Sequence, residues 1–236
     1  MVETRRDRLR AATVLEITQT ARRLLVDQGQ EAMTLRAIAR EMGMTAPALY
    51  RYFDSHSELL AKVVGDIFND LTDDMRDAIA AVPPGDLSGR TLTACRTFRR
   101  WGLAHPREYA LLFGTPTPAL DVEHDDFASA CGLRFAWTFL ALFVELWERR
   151  PFPILEDGDI AESLRGQLER FRASMGFALP LGAALVYLQC WVRLHGNVSL
   201  EVMGHLDFAL DDPEPLFELL LSEMSASVGL VYGPPE

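Results

Sequence analysis

A chain of 236 residues, 49% of them apolar, is long enough to bury a sizeable core and lies near the border between one domain and two. Its 23 Lys and Arg against 34 Asp and Glu leave a formal net charge of −11, which speaks against nonspecific binding of polyanions over the whole surface. Cys95, Cys131 and Cys190 lie far apart, with no CxxC pair and no His cluster at ligand spacing, so neither a disulfide framework nor a structural metal site is expected.

Nearly every apolar pattern has helical spacing, and no convincing run of period-two alternation stands between turn signals; the expected fold is all-α, with about nine to ten helices. The first helix is expected from about Arg10 to Gln28, with Ile17, Ala21, Leu24 and Leu25 on one face and Gly29 as its stop. A short second helix follows Thr34 as N-cap and ends before Gly43. Thr45 opens a third helix through about Tyr52. Ser55 with Glu58 three residues on forms a capping box for a long fourth helix, which Pro83-Pro84-Gly85 ends. Further helices are expected at about 87 to 104, 106 to 113, 124 to 149, 159 to 176, 180 to 204 and 213 to 230. The tail Gly233-Pro234-Pro235 reads as frayed. The first thirty residues hold no continuous apolar run, and no stretch approaches the roughly 18 apolar residues of a membrane span, so a cytoplasmic protein without a membrane partner is expected.

Residues 34 to 53, TLRAIAREMGMTAPALYRYF, join two short helices with the turn chemistry of a helix-turn-helix. Ile38, Ala39, Met42, Met44, Leu49 and Phe53 are the inward set, and Gly43 can take the positive φ that leaves the first of the two helices. Pro47 is tolerated because N–H groups of a first helical turn have no intrahelical partner. The second helix would lie in a major groove with its N-terminal residues at base edges. Charge distribution agrees with this. Residues 1 to 60 hold nine arginines and eight acidic side chains, so 14 basic and 26 acidic side chains fall beyond them. The negative charge sits outside the N-terminal module, and phosphate binding needs only a local basic face.

Here the sequence strongly resembles the TetR (tetracycline repressor) family, over about residues 8 to 62: ITQTARRLLVDQG at 17 to 29, TLRAIAREMG at 34 to 43, and LYRYF at 49 to 53 followed by Ser55 and Leu59-Leu60. The resemblance implies a DNA-binding domain over residues 8 to 60 and a larger ligand-binding and dimerisation domain over 61 to 232. It also implies a transcriptional regulator, most often a repressor, that binds an inverted-repeat operator in double-stranded DNA as a homodimer and is released by a small molecule. By position, Ala46, Pro47 and Arg51 match sites that face base edges, and a guanidinium at 51 can donate two hydrogen bonds to a guanine. Thr34, Arg36, Thr45, Tyr50 and Tyr52 match sites that hold phosphates. Where the family usually has a lysine at the start of the fourth helix this chain has His56, only partly charged near neutrality, which puts that phosphate contact in question. The arginines at 5, 6, 8 and 10 read either as an arm reaching DNA or as a solvated, disordered start.

The remainder is rich in aromatic residues on helices, most of which a core requires. Trp101, Tyr109, Phe113, Phe139, Trp191 and His195 are candidates to line a pocket for an apolar or aromatic effector, in a region that Pro106, Gly114, Pro116 and Pro118 interrupt. WVRLHGNVSLEVMG at 191 to 204 and HPREYALLFGTP at 105 to 116 resemble a Trp-His-Gly subset of TetR-like C-terminal domains. Leu181, Leu185, Leu188, Val192, Leu216, Leu219, Leu220 and Met224 lie in helical register on the last two long helices. By resemblance these helices pair with a partner's copies; the alternative is that they close the core of a single chain. No GxSxG, HExxH, GxGxxG or P-loop occurs, and His124-Asp125-Asp126 with Cys131 lacks a compact ligand set, so neither an enzyme nor a cofactor is expected.

Overall fold

The computed structural model describes residues 4–114 and 127–235, and every regular element among them is helical. Residues 115–126, with Pro116, Pro118 and the His124-Asp125-Asp126 cluster, lie outside the described residues. In chain order the helices are α1 (Arg5–Gln28), α2 (Leu35–Glu41), α3 (Ala46–Leu49), α4 (His56–Ala80), α5 (Leu87–Ala104), α6 (Pro106–Phe113), α7 (Phe127–Arg149), α8 (Glu162–Met175), α9 (Leu181–Val202) and α10 (Glu214–Val228). Short 3₁₀ turns occur at Gln30–Ala32 and Asp157–Asp159.

Three local expectations need correction. The first helix begins five residues early, because Thr4 and Asp7 close a capping box: the Asp7 amide donates to Thr4 Oγ1 (3.2 Å) and the Thr4 amide to the Asp7 carboxylate (3.1 Å). Arg5, Arg6, Arg8 and Arg10 are therefore helical residues rather than a disordered start. The third helix is also shorter than expected. After Leu49 the chain tightens into bonds of 3₁₀ type, Arg51 N to Ala48 O (3.3 Å) and Tyr52 N to Leu49 O (2.9 Å). Finally, the segment after α10 is not frayed. The Val231 amide donates to Ser88 Oγ (3.0 Å), the Tyr232 hydroxyl to Glu218 (2.9 Å) and Arg96 to the Gly233 carbonyl (2.6 Å).

The described residues form two compact units: residues 4–70 with 105–114 and 127–133, and residues 71–104 with 134–235. In the first, Ile17, Ala21, Leu24 and Leu25 of α1 are buried together with Leu35, Ile38 and Ala39 of α2, Leu49 and Phe53. Met33 and Leu35 join this core, whereas Met42 and Met44, expected inside, are only half-buried. α6 lies against α1. Arg22 of α1 pairs with both Glu108 of α6 and Asp70 of α4, and Arg107 donates to the Val26 carbonyl near the end of α1 (2.8 Å).

In the second unit α9 packs on α5, α8 and α10. Phe98, fully buried, centres a group of rings comprising Phe135, Phe139, Trp191 and His195, with centroids 5.7 to 6.3 Å away. Contrary to expectation, one helix, α7, is long and apolar enough, by length and composition alone, to cross a membrane. Here its Phe135, Phe139, Leu140, Leu142, Phe143 and Leu146 are buried core residues.

α9 starts close against the 151–156 segment: a Cβ built on Gly182 would stand 2.3 Å from the Leu155 carbonyl oxygen and 3.0 Å from Ile154 Cβ. A backbone atom gives way poorly to an inserted methyl. Gly182→Ala is expected to lower stability by about 1 to 3 kcal/mol, the ordinary cost of overpacking. Urea denaturation checks this, and an unchanged midpoint would refute it.

Candidate functional site

The helix-turn-helix is built by caps. Thr34 Oγ1 accepts the Ala37 amide (3.1 Å) and starts α2. Gly43, at φ +64°, turns the chain so that the Met44 amide reaches back to the Ala39 carbonyl (2.8 Å), satisfying a carbonyl of the last turn of α2. α3 then begins at Ala46 with Pro47 in its first turn, and Thr45 occupies the N-cap position without a capping bond of its own. Ser55 Oγ accepts the Glu58 amide (3.1 Å), while Glu58 reaches the Asp54 amide (2.6 Å), so α4 opens on a near relative of the expected box.

Burial sorts the candidate DNA contacts by side chain. Thr34, Arg36, Thr45, Pro47, Tyr50, Arg51 and His56 are exposed, and Ala46 and Tyr52 are half-buried, while Leu49 and Phe53 between them point into the core. One stretch thus separates an inward set from an outward set.

Two fixings of this face were not legible as such. The Arg10 guanidinium donates to the Arg51 carbonyl (3.0 Å) and lies 5.3 Å from the centroid of the Tyr52 ring. It holds the end of the α3 turn from α1 through a charge-assisted hydrogen bond and a cation–π contact. His56 Nε2 meets the Met33 carbonyl at 2.6 Å, and since a carbonyl only accepts, the proton is on Nε2. That bond ties the start of α4 to the residue before Thr34. It leaves Nδ1 as the ring atom for any outside partner.

The sensor candidates fall into two groups. Tyr109 and Phe113 belong to the first unit, with ring centroids 4.8 Å apart and Phe113 edge-on to Phe68. Trp101, Phe139, Trp191 and His195 belong to the second unit, and the last three stack or pack around Phe98. Of the six, Phe139 and Trp191 line a cavity of about 70 Å³ in the second unit. Its other walls include Leu92 and Cys95 of α5, Phe143 of α7, Tyr187 and Cys190 of α9, Leu221 and Met224 of α10, and Leu230 beyond it. Among the described residues, no charged side chain lines it. Burial pushes the Cys95 thiol up to about 12 and the Cys190 thiol up to about 11, so both stay protonated and are poor nucleophiles at neutral pH.

Burial also pushes His195 below the ordinary imidazole value. The unfolded chain then binds a proton at about pH 6.5 that the folded chain binds only at lower pH, so stability is retained above about 6.5 and lost as pH falls below it. His195→Gln is expected to flatten the fall in melting temperature between pH 7 and pH 5. An equally steep fall in the variant would refute the assignment.

Two family descriptions match this chain: "Bacterial regulatory proteins, tetR family" over residues 17–63 and "Tetracyclin repressor-like, C-terminal domain" over residues 91–224. The second alone spans more than half of the chain. The protein belongs to the tetR family. Members of the tetR family are helix-turn-helix transcriptional regulators that bind DNA, and the chain is such a regulator. It is 31% identical over 210 residues to the HTH-type transcriptional regulator Mb1846 of Mycobacterium bovis, covering 86% of each chain. It is similar to the solved structure of the regulatory protein SCO4313, with a TM-score of 0.71 at 29% identity over 94% of this chain and all of that one. A TetR family transcription regulator from Marinobacter aquaeolei VT8 shares the fold, at a TM-score of 0.57 and 16% identity over 93% of this chain and 97% of its own. The helix-turn-helix described above lies within the residues matched by the tetR regulatory-protein family, and the relatives are regulators rather than enzymes.

Proposed function

We propose that the protein is a cytoplasmic repressor that binds an inverted-repeat operator as a homodimer and releases it when a small apolar or aromatic molecule binds the helical domain. In this reading residues 8 to 60 bind DNA and residues 61 to 232 sense and dimerise. The observation that carries it is the exposed Arg51, whose backbone is held from both sides while its guanidinium is outward. A fixed backbone with an exposed planar fork suits a bidentate contact to guanine. Thr34, Arg36, Thr45, Tyr50 and Tyr52 would position the duplex, Ala46 and Pro47 would face base edges, and His56 would add a phosphate contact through Nδ1 when protonated.

Dimerisation through α9 and α10 is supported by what those helices leave outside. Val192 is 67% exposed, Leu219 56%, Leu200 45% and Leu216 40%, while Leu181 and Met224 from the same stripes are buried in the core of the chain. A Cβ on Gly196 would meet nothing within 4 Å, so a second backbone can approach there. A two-fold dimer sets its recognition helices about one DNA turn, ~34 to 36 Å, apart. Effector coupling of roughly 1 to 3 kcal/mol would change operator affinity about 5- to 150-fold.

The test is footprinting on DNA upstream of the protein's own and neighbouring genes, followed by fluorescence anisotropy on the protected sequence. Arg51→Ala is expected to weaken specific binding by about 1 to 3 kcal/mol and to lose discrimination at one guanine per half-site. His56→Lys is expected to tighten binding and to steepen the dependence on salt. No specific protection, or an Arg51→Ala variant that binds and discriminates as the unaltered chain does, would refute the reading.

A further inference from the structure

The apolar cavity of the second unit has four helical walls and one wall of a different kind. Its sides are faces of α5, α7, α9 and α10, each anchored by fully or largely buried side chains. The remaining wall is Leu230, half-buried, in the segment that follows α10. That segment turns at Gly229 (φ +73°), where the Gly229 amide donates to the Ala226 carbonyl (3.4 Å) and the Leu230 amide to the Ser225 carbonyl (2.9 Å), and it continues beyond Leu230 without helical structure. Beyond that cap, side-chain contacts hold it: the Val231 amide donates to Ser88 Oγ on α5, the Tyr232 hydroxyl to Glu218 on α10, and Arg96 of α5 donates to the Gly233 carbonyl and lies 5.8 Å from the Tyr232 ring centroid. Arg96 also holds the Glu218 carboxylate with two bonds (2.8 and 2.7 Å), so one guanidinium fixes both the segment and its anchor. Arg150 donates to the Gly229 carbonyl (3.1 Å) at the base of the turn.

Size decides what this means. A cavity of about 70 Å³ is roughly half of the ~150 Å³ that holds a benzene ring in a protein core, so any larger occupant must displace a wall. Displacing a helix would uncover several buried side chains at once. Displacing the segment uncovers Leu230 and exchanges a few hydrogen bonds for bonds to water, each of small net worth. We propose that residues 229–233 are a strap that gates this cavity, and that the cavity admits small uncharged apolar molecules by release of the strap from Ser88, Arg96 and Glu218. The inference rests on the proposed function, and takes this cavity, lined by the candidate residues Phe139 and Trp191, as the place where the effector binds. It adds the route of entry and the requirement that the occupant carry no charge, since no charged side chain among the described residues lines the walls.

The experiment uses the full chain and N-phenyl-1-naphthylamine, an uncharged probe that brightens in apolar surroundings, mixed by stopped flow. In the unaltered protein the association rate is expected to reach a plateau as probe concentration rises, because strap opening becomes limiting. Tyr232→Phe removes one strap bond, and Ser88→Ala with Tyr232→Ala removes two. The plateau is expected to rise with each loss, on the order of tenfold for the double variant. Cys190→Leu, which fills the cavity, is expected to abolish the signal. Hydrogen exchange at the Val231 amide of the unaltered protein gives the opening rate without any variant and is expected to match the plateau. Equal plateau rates in all strap variants, an undiminished signal in Cys190→Leu, or no association with any of the proteins overturns the strap. Strap-dependent association that leaves operator affinity unchanged upholds the strap and refutes the effector reading of the cavity.

Discussion

Arg22→Met is expected to destabilise the protein by about 2 to 3 kcal/mol, below the ~3 to 5 kcal/mol of a fully buried ion pair because the arginine side chain is 29% exposed. Arg22 pairs with Glu108, whose side chain is 5% exposed, and with Asp70, whose side chain is 53% exposed. The two carboxylates differ in what they lose. Asp70 is returned to water at little cost, whereas Glu108 is left in the packed surroundings of α6 without its cation. The arginine itself is held in its charged form: burial works against the charge, but the hydrogen bonds and charges of Asp70 and Glu108 outweigh it and raise its value. Two variants separate the contributions. Arg22→Met with Glu108→Gln is expected to recover much of the loss, because no charge is then left buried, while Arg22→Met with Asp70→Asn is expected to recover little. Urea denaturation of the four proteins checks this; equal recovery in both double variants would refute the assignment of the cost to Glu108.

The same network can be tested for a role in DNA binding. Arg22 belongs to α1, which packs with α2 beside the proposed DNA-binding face, and Glu108 belongs to α6. A change at α6 that withdraws Glu108 would free the α1 side chain, and operator affinity of the Arg22 variants, measured where each is fully folded, reports whether α1 is held by that contact.

Phe98→Ala is expected to cost about 3 to 5 kcal/mol by a different mechanism, the loss of a large buried ring and the cavity left behind. Phe98 is fully buried on α5 and touches rings from two other helices: Phe135 and Phe139 of α7, and Trp191 and His195 of α9. Those rings are fixed by further packing, Phe139 on Trp191 at 5.7 Å between centroids and Trp191 on His195 at 5.1 Å, so the space left by Phe98 cannot collapse cheaply. Unlike Arg22→Met, this variant should lose the same stability at low and high salt, because dispersion and apolar burial are not screened. A loss below about 1 kcal/mol would show that the ring cluster rearranges to fill the space.

Legibility in the sequence followed the range of the interaction involved. Helices whose ends are written by Pro, Gly or a capping side chain were placed closely: the expected 87 to 104 and 106 to 113 are Leu87–Ala104 and Pro106–Phe113. Gly43, Thr34 and the inward positions Ile38, Ala39, Leu49 and Phe53 stand where their chemistry required. The start of α1 is also written locally, in Thr4 and Asp7, although the four arginines around them are equally compatible with an arm reaching DNA or a disordered start. The shortening of α3 was not legible, because Arg10, 41 residues away, holds the carbonyl of Arg51.

Short-range chemistry was enough to specify the class of the protein, an all-helical chain with a helix-turn-helix near its start, because period, caps and the glycine turn act within a few residues of one another. Length and net charge bounded it, and the uneven spread of the acidic residues removed the objection to DNA. Only the tertiary structure decided which of the candidate side chains share a place. It separated Tyr109 and Phe113 from Trp101, Phe139, Trp191 and His195, committed His56 Nε2 to the Met33 carbonyl, and pinned Tyr232 and Gly233 to α5 and α10. Those outcomes depend on charge-assisted bonds and ring contacts between residues tens of positions apart, and no local periodicity encodes which partner a long polar side chain will reach.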